Sequence, residues 1–160
     1  MKILLWTKHP GDLLGQAIDA LTHGNAQHAG FLRSNGLIHE AYYPLVRDRE
    51  VQDDEKQFIR VFRLDNLPIE LEPKFERLFD LNIQAGVEYS FANLFRFQFN
   101  LEMPSAQTVI CSQYVFHCIS LCAPMSIPLI RCEEDQVSPR DLLISPRLIE
   151  ESWPNGENTP

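Results

Sequence analysis

Apolar and polar positions change period several times along the chain, and each change marks an element. Ile3-Leu4-Leu5-Trp6 is a continuous apolar run, so residues 2–7 are expected to form a short strand. Pro10-Gly11-Asp12 interrupts it and can open a helix. Leu14, Ala17, Ile18 and Leu21 then recur at helical spacing, which predicts an amphipathic helix over 12–22, ended by His23-Gly24-Asn25. Two further runs, Gln27 to Arg33 and Leu37 to Tyr43, flank Ser34-Asn35-Gly36 and predict a β-hairpin. Residues 57–64 are rich in Phe, Ile and Val and predict another strand.

The period then becomes helical. Pro73 suits a first helical turn, Phe75, Leu78, Phe79 and Ile83 supply a buried stripe, and Gly86 fits the C-terminal cap. Residues 90–104 are aromatic (Phe91, Phe95, Phe97, Phe99) and fit no single period. A helix is expected from about 110 to 122, with Cys111, Tyr114, Val115, Cys118 and Cys122 near one face, stopped by Pro124 and Pro128. Residues 129–145 read as a strand plus loop, and 152–160 as a polar, frayed tail. Helices around a small, mostly antiparallel sheet make an α+β fold, here one domain over 1–151.

Composition narrows the function more than the fold. With 160 residues the chain can bury a core without staples, and its 44% hydrophobic and 22% charged content is that of an ordinary globular protein. The net charge of −8 argues against nucleic acid or an anionic membrane surface as partner. The acidic clusters at 50–55 and 133–135 read as solvated loops. The N-terminal apolar run is shorter than the roughly 7–15 residues of a signal-peptide core. No stretch reaches the ~20 apolar residues of a membrane span. The expected location is therefore the cytoplasm, or release on lysis for a phage-encoded protein. The four cysteines, Cys111, Cys118, Cys122 and Cys132, are then expected to be reduced thiols. Their spacing contains no C-x2-C pair of a structural zinc site, so neither a metal nor another cofactor is expected.

Candidate chemistry begins in the hairpin. A two-residue loop, Asn35-Gly36, would set Glu40 opposite Phe31 and away from His28. A three-residue loop, Ser34-Asn35-Gly36, pairs Arg33 with Leu37 and Gly30 with Glu40, so that His28 and Glu40 share a face as diagonal neighbours. Such loops favour a left-handed third residue, where glycine fits, and Gly36 favours this second register. A carboxylate beside an imidazole can hold one ring N–H and leave the other nitrogen free to take a proton. His39 falls on the opposite face and reads as a bystander, and His9, His23 and His117 have no companion pattern. Without a further constraint, a solvated His and Glu on the surface is the better account of such a hairpin.

The second candidate is Cys111, at the start of a helix. Unpaired N–H groups and the positive end of the helix dipole favour a reactive thiolate there and can face a developing oxyanion. A simply buried cysteine fits the same pattern, as do Cys118, Cys122 and Cys132. Ser112 is a rival nucleophile, although no G-x-S-x-G elbow surrounds it.

Taken in order, these residues resemble a known family. Six segments match its motifs: Gly11-Asp12-Leu13-Leu14 with Ile18 and Thr22; Gln27-His28-Ala29-Gly30-Phe31; Ile38-His39-Glu40-Ala41; Gly86-Val87-Glu88-Tyr89-Ser90-Phe91; Cys111-Ser112-Gln113-Tyr114-Val115; and Ser138-Pro139-Arg140-Asp141-Leu142-Leu143. The chain resembles the circularly permuted papain-like hydrolases, the YiiX-like branch of the NlpC-type cell-wall hydrolases. The lecithin:retinol acyltransferases are more distant kin, and their N-C-x-H-F motif is absent around Cys111. The resemblance implies a cysteine peptidase or amidase with Cys111 as nucleophile, His28 as base and Glu40 orienting it. It also places Tyr89 near the site as a donor to substrate or oxyanion, with Gln107 a weaker candidate for such a donor. Gln113 and Ser90 depart from the usual Glu and Asp, which bears on substrate contacts rather than on the dyad. The implied substrate is a peptide or acyl compound, with peptidoglycan the family-level expectation. Alternatives with the same fold are a lipid-directed hydrolase or acyltransferase, using a groove built from Phe91, Phe95, Phe97 and Phe99, and a non-catalytic binding domain.

Overall fold

The structure, a computed structural model, describes residues 1–7, 26–90, 108–124 and 137–154. The expected helix over 12–22, the aromatic segment after Ser90, Gln107, Cys132 and the acidic cluster at 133–135 lie outside the described residues.

Among the described residues, eight strands form one sheet: β1 (Lys2–Trp6), β2 (His28–Leu32), β3 (Ile38–Tyr42), β4 (Leu45–Arg49), β5 (Ile59–Leu64), β6 (Glu88–Tyr89), β7 (Thr108–Val109) and β8 (Leu148–Glu151). Their order is β7-β6-β4-β3-β2-β1-β5-β8, and every neighbouring pair is antiparallel except β6 and β7. Three α-helices accompany the sheet among the described residues: α1 (Glu72–Gln84), α2 (Cys111–Cys122) and α3 (Pro139–Leu143). The architecture is the expected α+β fold with a mostly antiparallel sheet.

β1 is central, which explains its unbroken apolar run, because side chains on both faces must be buried. Ile3 and Leu5 enter the main core with Ala29, Phe31, Phe62, Phe75, Phe79 and the inner face of α2. Leu4 and Trp6 point the other way, into a smaller cluster with Leu32, Ile38, Ile59 and Val61. Trp153 packs on that second cluster, so the first residues of the expected tail take part in the fold. Among the described residues, no helix is long and apolar enough to cross a membrane.

α1 carries Pro73 in its first turn and ends at Gly86, whose φ of +62° suits glycine. Phe75 and Phe79 are fully buried and Leu78 packs at the edge of the core, but Ile83 is exposed. Ile83 falls in the last turn, where the chain turns away through Gly86 toward β6.

Four segments differ from expectation. Residues 139–143 are helical rather than strand or loop, because Ser138 and Asp141 form a reciprocal cap. The Asp141 N–H donates to Ser138 Oγ at 3.2 Å and the Ser138 N–H to Asp141 Oδ2 at 2.9 Å, with Pro139 in the first turn. β4 and β8 were hidden by their charge. Arg47, Asp48 and Arg49 of β4 all find partners across the sheet. The β8 glutamates pair with Lys2, Arg60 and Arg63. The acidic loop at 50–55 is also not wholly solvated, since Glu55 is buried and accepts hydrogen bonds from Trp6 and Arg49.

Candidate active site

The hairpin adopts the register of the three-residue loop. Gly30 pairs with Glu40 and Leu32 with Ile38, the Arg33 N–H donates to Leu37 O at 2.9 Å, and Gly36 has φ +84°. His28 and Glu40 consequently share a face. His28 Nε2 lies 2.9 Å from Glu40 Oε2. Trp6 is the cross-strand partner of His28 on β1, with ring centroids 4.9 Å apart, and Tyr42 meets the imidazole edge-on at 5.6 Å.

Gly30 is required by this packing. A Cβ there would stand 3.0 Å from the backbone oxygen of His39, 3.3 Å from Glu40 Cβ and 3.5 Å from Trp6 Cη2. The missing side chain lets the indole lie alongside the His28–Glu40 pair.

Glu40 is only 1% exposed, yet it is fully supplied with donors. Arg47 Nη2 donates to Oε1 at 2.9 Å and Arg49 Nε to the same oxygen at 2.8 Å. Burial alone would raise the carboxyl pKa. The hydrogen bonds and positive charge of His28 and Arg49 outweigh burial and hold it well below the usual carboxylate range.

Cys111 approaches from the other end of the chain. β7 runs toward the end of the sheet at which β2 begins, and one residue later α2 starts with Cys111. Cys111, 2% exposed, lies close enough to the His28 ring to shift its basicity. With Nε2 held by Glu40, Nδ1 is the nitrogen left for the sulfur. Burial disfavours the imidazolium, but the charge and hydrogen bond of Cys111, followed by those of Glu40, push the His28 pKa up to about 10 from 6.5. The first-turn N–H groups of α2 have no intrahelical partners, as at any helix start, and they flank the thiol. Gln113 braces that turn, its Oε1 accepting the Ile110 N–H at 3.5 Å.

Of the candidate residues, the structure brings Cys111, His28 and Glu40 together. Tyr89 lies in β6, paired with Val109 of β7, with its ring 6% exposed in the main core. The rival nucleophile Ser112 is fully buried and donates its hydroxyl to Val137 O at 2.6 Å. Cys118 and Cys122 are buried in the core, as expected of small apolar side chains.

His39 does occupy the opposite face, but it is part of a buried network. Its Nδ1 is 2.6 Å from Asp48 Oδ1 and its Nε2 is 2.7 Å from Tyr114 Oη, which also accepts from Asn82 Nδ2 at 2.8 Å. Burial lowers the His39 pKa, nearby Arg33 adds to this, and Asp48 only partly opposes it. The ring is therefore neutral, donating from Nδ1 to Asp48 and accepting the Tyr114 hydroxyl at Nε2. Burial likewise pushes the Tyr114 phenol above its ordinary value. A carboxylate neighbour alone does not make a histidine basic. The sequence signal for this network was the charge pattern of β4, where Asp48 alternates with Arg47 and Arg49.

No protein-family model matches the chain, and no curated protein matches it. Among solved structures, it is similar to the crystal structure of the metalloprotein yiiX from Escherichia coli O157:H7. The TM-score is 0.67 over 94% of each chain, at 17% sequence identity. That protein is described as a metalloprotein. Among the described residues of the present chain, no group of three or more His, Cys, Asp or Glu side chains is arranged to hold an ion. Of the Glu40 oxygens, Oε1 is taken by Arg47 and Arg49 and Oε2 by His28. The donor set around Cys111 therefore does not fit a metal, and the likeness to yiiX is one of fold.

Proposed function

We propose that this protein is a thiol-dependent hydrolase that cleaves an amide bond through an acyl-enzyme. The observation that carries the reading is a histidine held at Nε2 by a buried, ionised carboxylate, with Cys111, the first residue of α2, beside its ring. His28 takes the thiol proton at Nδ1, and the Cys111 sulfur attacks the substrate carbonyl. The oxyanion that forms is met by the first-turn N–H groups of α2. His28 then passes its proton to the departing amine, which leaves a thioester on Cys111. Water, deprotonated by His28, resolves the thioester to a carboxylic acid and returns the thiol. Glu40 keeps the proton of neutral His28 on Nε2, so that Nδ1 is the basic nitrogen during attack. Tyr89 and Gln107 are proposed as substrate or oxyanion donors on the resemblance alone.

The resemblance to the NlpC-type branch points to a cell-wall peptide amide as substrate. The test is turnover of muropeptides, with lipid esters assayed in parallel. Hydrolysis of muropeptides that is abolished in Cys111→Ala and His28→Ala is the expected result. Full turnover by Cys111→Ala would overturn the mechanism, and hydrolysis of lipid esters alone would overturn the substrate class. Iodoacetamide labelling with peptide mapping tests the thiol without a substrate. Cys111 is expected to label much more slowly in His28→Ala than in the parent. Equal labelling of the two would remove the dyad.

A further inference from the structure

We propose that Arg49 and Glu55 are positioning residues for His28: they close a ring of contacts around the imidazole and set how strongly it feels the charge of Glu40. The proposal deepens the reading of a thiol site and rests on it only for the role of His28 as base.

The ring can be traced atom by atom. His28 Nε2 meets Glu40 Oε2 at 2.9 Å, and Glu40 Oε1 accepts from Arg49 Nε at 2.8 Å. The Arg49 fork donates to Glu55, Nη1 to Oε1 at 2.5 Å and Nη2 to Oε2 at 2.9 Å. Glu55 Oε2 accepts the Trp6 indole N–H at 3.2 Å, and the Trp6 ring returns to His28 at 4.9 Å. The Gln52 N–H fixes Glu55 Oε1 from the loop side at 2.8 Å. The imidazole is thus held by a carboxylate at its edge and an indole at its side, and both supports lead back to Glu55. The Glu55 side chain is 12% exposed, which is not the setting of a solvated loop glutamate.

The charges along this ring alternate. Cys111 from α2, Glu40 from β3 and the uncharged rings of Trp6 and Tyr42 meet His28, and behind Glu40 and Trp6 stand Arg47 and Arg49 from β4 and Glu55 from the loop before the 3-10 turn Lys56–Phe58. Two arginines on Glu40 oppose its attraction for the imidazolium, and Glu55 opposes one of those arginines. Removing the charge of Glu55 leaves Arg49 uncompensated and makes His28 less basic. Removing the charge of Arg49 frees Glu40 and makes His28 more basic. A simple structural brace behaves otherwise, because loosening either side lets His28 drift in one direction, toward the value of a free imidazole.

The experiment is an NMR titration of His28, read from its ring nitrogen shifts, in Cys111→Ala protein, where no thiol titrates beside it. Against that background, Glu55→Gln, which keeps an acceptor for Trp6, should lower the His28 pKa by about 0.5–1 pH unit. Arg49→Gln should raise it by a similar amount, and Glu55→Asp should leave it near the parent value. Shifts of the same sign in Glu55→Gln and Arg49→Gln, or no shift in either, would overturn the proposal. Should Glu55→Gln not fold, Arg49→Lys, which keeps the charge but loosens the fork, is compared with Arg49→Gln: a rise in Arg49→Gln alone supports the tuning, and equal shifts in the two overturn it. Opposite shifts in a protein that hydrolyses nothing would overturn the proposed function and leave the tuning intact.

Discussion

Glu40→Gln is the sharpest perturbation of the site, because it changes one charge and almost no volume. The parent carboxylate offers one oxygen to His28 and the other to two arginines. A glutamine has a single acceptor oxygen, and arginines can only donate, so that oxygen stays with Arg47 and Arg49. The amide NH2 then faces His28 Nε2 and forces that nitrogen to accept. Neutral His28 must now carry its proton on Nδ1, where it points at Cys111 and cannot receive one. Loss of a correctly poised general base is worth about 10²–10⁴ in rate, so turnover should fall by that factor. The stability cost should be smaller than the ~3–5 kcal/mol of a stranded buried charge. Arg49 keeps its fork on Glu55, and the Arg47 side chain is 43% exposed, so a loss of about 1–3 kcal/mol is expected. The assays are urea unfolding, single-turnover kinetics and ring-nitrogen NMR for the tautomer. Turnover within about threefold of the parent, a margin small beside the effect of a missing general base, together with an unmoved tautomer would refute the reasoning.

Three further outcomes follow from the same contacts. The pKa of His28 is raised from 6.5 to about 10, so its stabilisation is complete below pH 6.5 and is lost as the pH rises through about 10. Glu40 is depressed below 4.5, so its contribution is present above that pH and is lost as the pH falls. Urea unfolding should therefore show greatest stability between these limits, with on the order of 3 kcal/mol lost from pH 6.5 to 10 and a much flatter profile in His28→Gln. Gly30→Ala should cost about 1–3 kcal/mol by overpacking, measured by the urea midpoint, because the carbonyl that meets the new Cβ is backbone and cannot swing aside. Tyr114→Phe should cost about 1–3 kcal/mol, by stranding His39 Nε2 and Asn82 Nδ2, and should leave iodoacetamide labelling of Cys111 unchanged.

What could be read from the sequence alone was what depends on neighbours along the chain. The loop Ser34-Asn35-Gly36 determined the hairpin register: only Gly36 of the three is left-handed, as a three-residue loop requires, whereas a two-residue Asn35-Gly36 turn would need Asn35 left-handed too, and that register determined that His28 and Glu40 share a face. The helix beginning at Cys111 was legible for the same reason, from its periodicity and the proline that stops it. The short helix after Ser138 was also written locally, in a Ser-Pro-x-Asp cap that the strand-plus-loop reading passed over. Tertiary structure decided the rest. Adjacent residues His39 and Glu40 belong to separate networks on opposite faces, and each histidine in those networks has a carboxylate partner. One histidine is raised and the other lowered, because desolvation, a nearby thiol and nearby arginines set the balance, and those neighbours are distant in sequence. Glu55 and the charged strand β4 looked solvated for the same reason. A charge reads as exposed until the fold supplies the partner that allows it to be buried.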